Sequence, residues 1–394
     1  MISHEERETA KWGIIADDLT GACDTGAVFS EKGFATVVVL DRRARLPSQA
    51  QIVVLTTNSR NDSVRQARMK VRQACRHLKA AGVRILYKKI DSTLKGHVAA
   101  EITALMQMAR FSRAMLCPAF PAQGRVVRKG VLWVRGQPLA DLISCFQNHR
   151  SFHVVSVPRP ISKAKVIKSL RHAGHCVVPE AETERDLTCL ANAAANFTRP
   201  VLLVGSAGMA RHVAEILFLE RVPQLASRGP CSPRSSAAAP GRLRAPLIFT
   251  GSGNAVTETQ VASLVRHRQA SVLSLDRQDR RNLHRLRARD RPVIVRVPIH
   301  QQPIESLVRK LSAFSAAFTR QSVSSIVLIG GDTGSLITGW LATKAIELHG
   351  QIAPGVPWGY LTGGKADGIA VCTKAGGFGD AETLIHAVDF LAEH

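Results

Sequence analysis

The chain has 394 residues, of which 45% are hydrophobic and 21% charged. This balance is globular and excludes a wholly disordered chain, and the length suits two or three domains at roughly 100–200 residues each. Lys and Arg number 53 against 30 Asp and Glu, a net charge of +23, which favours anionic ligands without separating nucleic acid from small acidic metabolites.

In chain order, short apolar runs at 12–16, 36–40, 52–55, 84–87, 114–117 and 201–204 predict strands. Amphipathic stretches near 21–32, 61–81, 97–110, 161–173 and 206–219 predict helices. Strands that alternate with helices imply βαβ units and a mostly parallel sheet covered on both faces. The rhythm breaks at 222–246, a segment rich in Pro, Ser, Ala, Gly and Arg with no apolar period, which reads as a linker or surface loop. A second alternating block follows, with strands expected at 247–250, 271–275, 293–297, 325–329, 358–362 and 369–373. Its helices are expected near 254–267, 303–319 and 334–348, with a last one from about 380. The expected fold class is two α/β domains, each with a mostly parallel sheet flanked by helices. They occupy 1–222 and 247–394, joined by 223–246.

No run approaches the roughly 18 apolar residues of a membrane span. The N-terminus carries charges of both signs and lacks the apolar core of a secretory signal, so a cytoplasmic location is expected. Eight cysteines at 23, 75, 117, 145, 176, 189, 231 and 372 show no C-x-x-C and no metal-like pairing with His. They read as reduced thiols rather than as a disulfide scaffold or zinc site. The arginine-rich run at 277–291 has no interleaved aromatics and no recognition motif, and reads as a solvated face.

Clusters of chemical interest sit at predicted strand ends, where open α/β sheets bind ligands. Ala16-Asp17-Asp18-Leu19-Thr20-Gly21 places two carboxylates after the first strand, able to take a hydroxyl proton, hold magnesium, or cap the next helix. Lys88-Lys89-Ile90-Asp91-Ser92-Thr93-Leu94-Lys95 packs cations, a carboxylate and hydroxyls together, a set suited to an acidic, hydroxylated ligand. Arg60 can add a guanidinium fork to the same crevice, and the Pro- and Gly-fixed loop Cys117-Pro-Ala-Phe-Pro-Ala-Gln-Gly-Arg125 can aim Arg125 at it. In the second half, Thr250-Gly-Ser-Gly-Asn254, Gly330-Gly-Asp-Thr-Gly334 and Lys374-Ala-Gly-Gly-Phe-Gly379 are glycine loops whose amides can approach phosphate. The near-match of Gly359 to Ala366 to a P-loop lacks the Ser/Thr hydroxyl and precedes a strand-like run, so it is rejected. The G-x-G-x-x-G fingerprint is absent after the first strand, which argues against a standard NAD enzyme.

Ala-Asp-Asp-Leu-Thr-Gly-Ala-Cys-Asp (16–24), Lys-Lys-Ile-Asp-Ser-Thr-Leu-Lys-Gly (88–96), Cys-Pro-Ala-Phe-Pro-x-x-Gly-Arg (117–125), Gly-Gly-Asp-Thr (330–333), Pro-Gly-Val-Pro (354–357) and Lys-Ala-Gly-Gly-Phe-Gly (374–379) occur in this order. Together they resemble the four-carbon acid sugar kinase family. The resemblance implies an N-terminal domain for the sugar acid, a C-terminal domain for ATP, a cleft between them, and use of a divalent metal, Mg2+. It implies phosphorylation of the terminal hydroxyl of a threonate- or erythronate-type acid. By motif, Asp17 and Asp91 are the candidate catalytic residues, and Asp18, Arg60, Lys89, Ser92, Lys95 and Arg125 the substrate-binding ones. Ser252, Gly330, Gly331, Asp332, Thr333, Gly376, Gly377, Phe378 and Gly379 fall where ATP binds; metal ligands are not assigned. The family's Leu-Arg-Gly-Asn is Leu94-Lys-Gly-His97 here, and its Gly-Arg-Thr-Thr is Gly124-Arg-Val-Val127. The rival expectation is a non-catalytic or regulatory kinase-like protein that binds nucleic acid through its arginine-rich surface.

Overall fold

The computed structural model describes residues 11–41, 44, 46–146, 152–172, 174–225, 246–275, 291–314 and 323–394. The greater part of the expected linker (226–245) and of the arginine-rich run (277–290) lies outside the described residues, as does Cys231. The other seven cysteines are free thiols. Among the described residues no helix is long and apolar enough to cross a membrane. The chain divides into two compact units, one up to Leu219 and one from Glu220 onward.

The first unit runs β1 (Trp12–Ala16), α1 (Leu19–Ser30), β2 (Thr36–Val39), β3 (Ile52–Thr56), α2 (Val64–Ala80), β4 (Arg84–Lys89), α3 (Val98–Ala109) and β5 (Arg113–Cys117). It continues with β6 (Arg125–Arg128), β7 (Val131–Val134), β8 (Gln137–Asp141), β9 (Val154–Val157), α4 (Lys163–His172), β10 (Cys176–Pro179), α5 (Glu184–Ala195), β11 (Val201–Gly205) and α6 (Ala207–Leu225), whose residues from Glu220 count with the second unit. A parallel sheet has the order β2-β3-β1-β4-β11-β5-β10-β9. Its central strands are continuous apolar runs because both faces are covered: Ile14, Ile15, Val53, Val54 and Leu55 are fully buried. Burying each such side chain contributes about 1.5–3 kcal/mol. The amphipathic α2 is closed by a reciprocal capping box between Ser63 and Gln66. An antiparallel sheet, β6-β7-β8, follows the 117–125 loop. This sheet, β9, β10 and α5 are additions to the predicted elements; the strands concerned are only four or five residues long.

The second unit comprises β12 (Leu247–Thr250), α7 (Ala255–Arg268), β13 (Ser271–Ser274), β14 (Val293–Arg296), α8 (Ile304–Phe314), β15 (Ser325–Ile329) and α9 (Gly331–Trp340). It ends with β16 (Ala345–Ala353), β17 (Val356–Thr362), β18 (Ala370–Lys374) and α10 (Thr383–Ala392). Strands β13-β14-β12-β15-β18 are parallel, and β17 and β16 join antiparallel beyond β18. The core gathers Ile248, Val261, Leu264, Ile294, Val327, Ile329, Leu384 and Val388. The expected helix at 334–348 is half wrong. It starts at Gly331 and stops at Trp340, Ala342 takes a positive φ of 54°, and β16 begins at Ala345. From there the pattern has period two, with Ile346 and Leu348 buried and Glu347 exposed, and the strand pairs with β17. The rejected P-loop look-alike is strand β17 and the turn after it.

Candidate active site

Strands β3, β1 and β4 are parallel neighbours, so the loops that follow them leave the same sheet edge. That places Arg60, Asp17, Asp18 and Asp91 together. Arg60 Nε donates to Asp17 Oδ2 at 2.7 Å, while Nη1 and Nη2 donate to the two oxygens of Asp18 at 3.0 Å each. Nη1 also lies 3.4 Å from Asp91 Oδ2. Burial works against the guanidinium's charge, but Asp18, Asp17 and Asp91 outweigh it and raise its pKa. All three guanidinium nitrogens are therefore engaged by the protein's own carboxylates. Arg60 thus clamps three aspartates at this sheet edge.

The three aspartates differ. Asp18 is the N-cap of α1: its Oδ1 accepts from Gly21 N at 2.9 Å, and Thr20 Oγ1 donates to its Oδ2 at 2.7 Å. Burial raises its pKa against the pull of Arg60, and the neighbouring charge of Asp17 adds to the rise. Asp91 Oδ1 accepts from the amide and hydroxyl of Thr93. Burial pushes the Asp91 carboxyl up, yet Arg60 and Thr93 outweigh this and hold it below its ordinary value. Asp17 is 3% exposed, and its Oδ1 is buried with no hydrogen-bond partner among the described residues. A buried carboxylate oxygen fixed by an arginine on one side and unused on the other is what a proton acceptor requires.

Lys89 ends β4 with its ammonium on Ile90 O at 2.8 Å. A Cβ at Gly21 would stand 2.8 Å from Lys89 Nζ and 2.6 Å from Asp18 Oδ1, so the approach of these charges needs glycine there. Ser92 is buried beside Asp91, and Arg125 opens β6 within the electrostatic reach of Asp91. Lys95 is exposed, and no ion pair joins it to this cluster among the described residues.

Two features escaped the sequence reading. Asp24, half-buried on α1, is pushed up to about 6 by burial, against Lys89 and with the help of Asp18; Arg211 and Arg125 also pull on it. Its position three and four residues beyond Gly21 and Thr20, on the same helix face, was the available signal. Behind the site, Lys88 pairs with Glu101 at 2.7 Å, both essentially unexposed, and Ser59 Oγ donates to Glu101 at 2.6 Å. This buried pair ties β4, α3 and the loop carrying Arg60 to one another.

In the second unit β12, β15 and β18 are parallel neighbours, and their three glycine loops emerge side by side. Gly376 packs on Ser252, where a Cβ would come within 2.4 Å of Ser252 Oγ; one at Gly251 would meet Thr333 Oγ1 at 2.7 Å. Gly330 has φ 95° and donates its amide to Lys374 O at 2.9 Å, and α9 begins with no side-chain cap. Its first-turn amides, at Gly331, Asp332 and Thr333, face the helix's positive end. The Asp332 carboxylate lies 4.0 Å from His300. Phe378 packs against Gly355 of the Pro-Gly-Val-Pro turn, where a Cβ would come within 2.6 Å of its ring.

The 375–380 loop has its carbonyls tied back into the protein. Thr257 Oγ1 donates to Gly376 O at 2.8 Å, and Gln260 Nε2 donates to Phe378 O at 3.0 Å and Asp380 O at 2.6 Å. The amides of Gly376, Gly377 and Gly379 donate to no protein acceptor among the described residues. Carbonyls spent inward and amides unspent make a cradle for an anion such as a nucleotide phosphate.

A carboxylate-and-cation site in one α/β unit and an anion cradle in the other define a two-unit protein for a hydroxylated acid and a phosphate-bearing ligand. Residues 12–163 match the model of a sugar-binding N-terminal domain and residues 247–384 that of a nucleotide-binding C-terminal domain. The chain is 30% identical to a D-threonate kinase from Salmonella typhimurium, over 96% of this chain and 98% of the relative. It is 32% identical to a D-threonate kinase from Cupriavidus necator, over 97% and 98%. A crystal structure of a Salmonella typhimurium protein shares the fold, with a TM-score of 0.75 at 23% identity over 96% of this chain and 98% of that one. The chain belongs to the four-carbon acid sugar kinase family.

Proposed function

We propose that this protein transfers the γ-phosphoryl group of ATP to the terminal hydroxyl of a four-carbon sugar acid of the threonate or erythronate type. The observation that carries the reading is the buried, unpartnered Oδ1 of Asp17, held in place through Oδ2 by Arg60. Family membership and the D-threonate kinase relatives support it.

In this mechanism Asp17 Oδ1 takes the proton of the terminal hydroxyl as its oxygen bonds to the γ-phosphorus and the bond to the bridging oxygen of ADP breaks. Asp91 is the poorer base because Thr93 and Arg60 already stabilise its charge. Asp18 serves the helix cap and the arginine. Lys89, which spends one donor on Ile90 O, and Arg125 orient the acid's carboxylate. Ser252 and the amides of Gly331 to Thr333 and Gly376 to Gly379 receive the phosphates. Mg2+, which the family resemblance implies, would neutralise phosphate charge when bound with the nucleotide.

An ADP-release screen over both threonates, both erythronates and the 3-oxo acid tests the reading. One acid is expected to stand out, and Asp17→Asn is expected to lower its turnover by about 100- to 10,000-fold, the usual range for a lost general base, with ATP affinity unchanged. Undiminished turnover in that variant removes Asp17 from the mechanism. No turnover with any of the acids removes the function.

A further inference from the structure

Lys374, the last residue of β18, has its side chain buried with 1% exposure. No carboxylate pairs with it among the described residues; its ammonium faces backbone oxygens instead. Nζ donates to Ala375 O at 2.9 Å, Phe378 O at 3.1 Å and Gly376 O at 3.4 Å. An ammonium has three donors, and all three point into the loop that follows it. Resting on the reading that this loop receives ATP phosphates, we infer that Lys374 is a positioning residue that gathers the loop's carbonyls beneath it and so keeps the amides of Gly376, Gly377 and Gly379 available to the nucleotide.

Three points carry this. The carbonyls gathered by Lys374 overlap those held by Thr257 and Gln260, so a single buried network fixes the loop's peptide planes. A peptide plane that flipped would present an oxygen to the phosphate where it now presents an N–H, turning attraction into repulsion. A buried cation without a counter-ion is costly unless it is hydrogen-bonded, so the arrangement gives folding little that an apolar side chain would not. Burial pulls the ammonium down to about 8, the Cys372 thiol opposing, so at neutral pH it retains its third proton and each of the three carbonyls keeps its donor. The strand also hands its own carbonyl to Gly330 N, which couples the loop to the first turn of α9.

The test is direct titration of ATP with magnesium, and separately of D-threonate, into the whole chain and its variants. Lys374→Met is expected to weaken ATP binding at least ten-fold while D-threonate affinity stays put, and Lys374→Gln, which keeps a shorter neutral donor, is expected to recover part of the loss. Thr257→Val and Gln260→Leu, each removing one carbonyl tie, are expected to weaken ATP binding about three-fold, and they decide the matter if Lys374→Met does not fold. A folded Lys374→Met that binds ATP like the wild type, or undiminished binding in both of the others, overturns the inference. A wild-type chain that binds ATP but phosphorylates none of the sugar acids sinks the kinase reading and leaves this one standing; one that binds no ATP sinks both.

Discussion

Asp24→Asn is expected to make the protein more stable at neutral pH and less active. Burial lifts the Asp24 carboxyl from its ordinary 3.8 to about 6. The folded state therefore holds a proton that the unfolded chain has released between these two values, and stability falls as pH rises through that window. Above pH 6 the full penalty remains: the gap of roughly two pKa units corresponds to about 3 kcal/mol, and partial solvent screening of a half-buried group reduces this to about 1–2 kcal/mol. Asparagine resembles the protonated acid and removes the penalty. Thermal unfolding at about pH 7.5 should then show the first unit's transition raised by about 2–6 °C, with the gain shrinking below pH 6 and nearly gone by about pH 4. Sugar-acid turnover should fall in the same variant, since a charge kept at a stability cost belongs to a working site. A variant no more stable at pH 7.5, or one stabilised equally at every pH, refutes the argument.

Lys88→Met should destabilise the first unit by about 3–5 kcal/mol, because Glu101 keeps its buried charge without its partner; denaturant unfolding measures this, and a change below about 1 kcal/mol contradicts it. Gly376→Ala should weaken ATP binding, because the new methyl must displace Ser252 from a 2.4 Å approach. Calorimetric titration that shows unchanged affinity would separate this contact from the nucleotide site.

The alternation of strand and helix, and the strand ends on which chemistry sits, were legible because parallel sheets buried on both faces write their strands as apolar runs: 12–16 and 247–250 match β1 and β12. The Asp17–Asp18 and Lys88–Asp91 clusters were legible as side-chain chemistry. The partners of Arg60 were not. An arginine in a polar loop names no partner on paper, and the adjacency of β3 to β1 is what brings Asp17 and Asp18 within its reach. Lys374 was visible as a lysine beside glycines, but its service to backbone carbonyls was hidden, since no residue type announces which peptide oxygens it will meet. The misplaced end of α9 has a similar cause: Ala342 carries no signal of a left-handed turn, and a pattern of Ala, Ile, Leu and Glu suits a helix until the pairing with β17 imposes period two.

The four aspartates of the first unit's site meet different sets of donors. Asp17, Asp18, Asp24 and Asp91 are set against Arg60, Lys89, Arg125 and Arg211, so the fully ionised group is close to neutral. A sugar acid adds a negative charge to that balance, and the approach of a phosphoryl group adds more. Asp24, pushed up to about 6 by burial, can take a proton at modest cost as negative charge arrives, whereas Arg60 and Thr93 hold Asp91 below its ordinary value. Asp17 alone of the four has a buried oxygen with no partner. The site thus absorbs incoming charge at its edges while leaving its acceptor oxygen bare for the hydroxyl proton, a division of labour set by which donors each carboxylate meets rather than by the residue type they share.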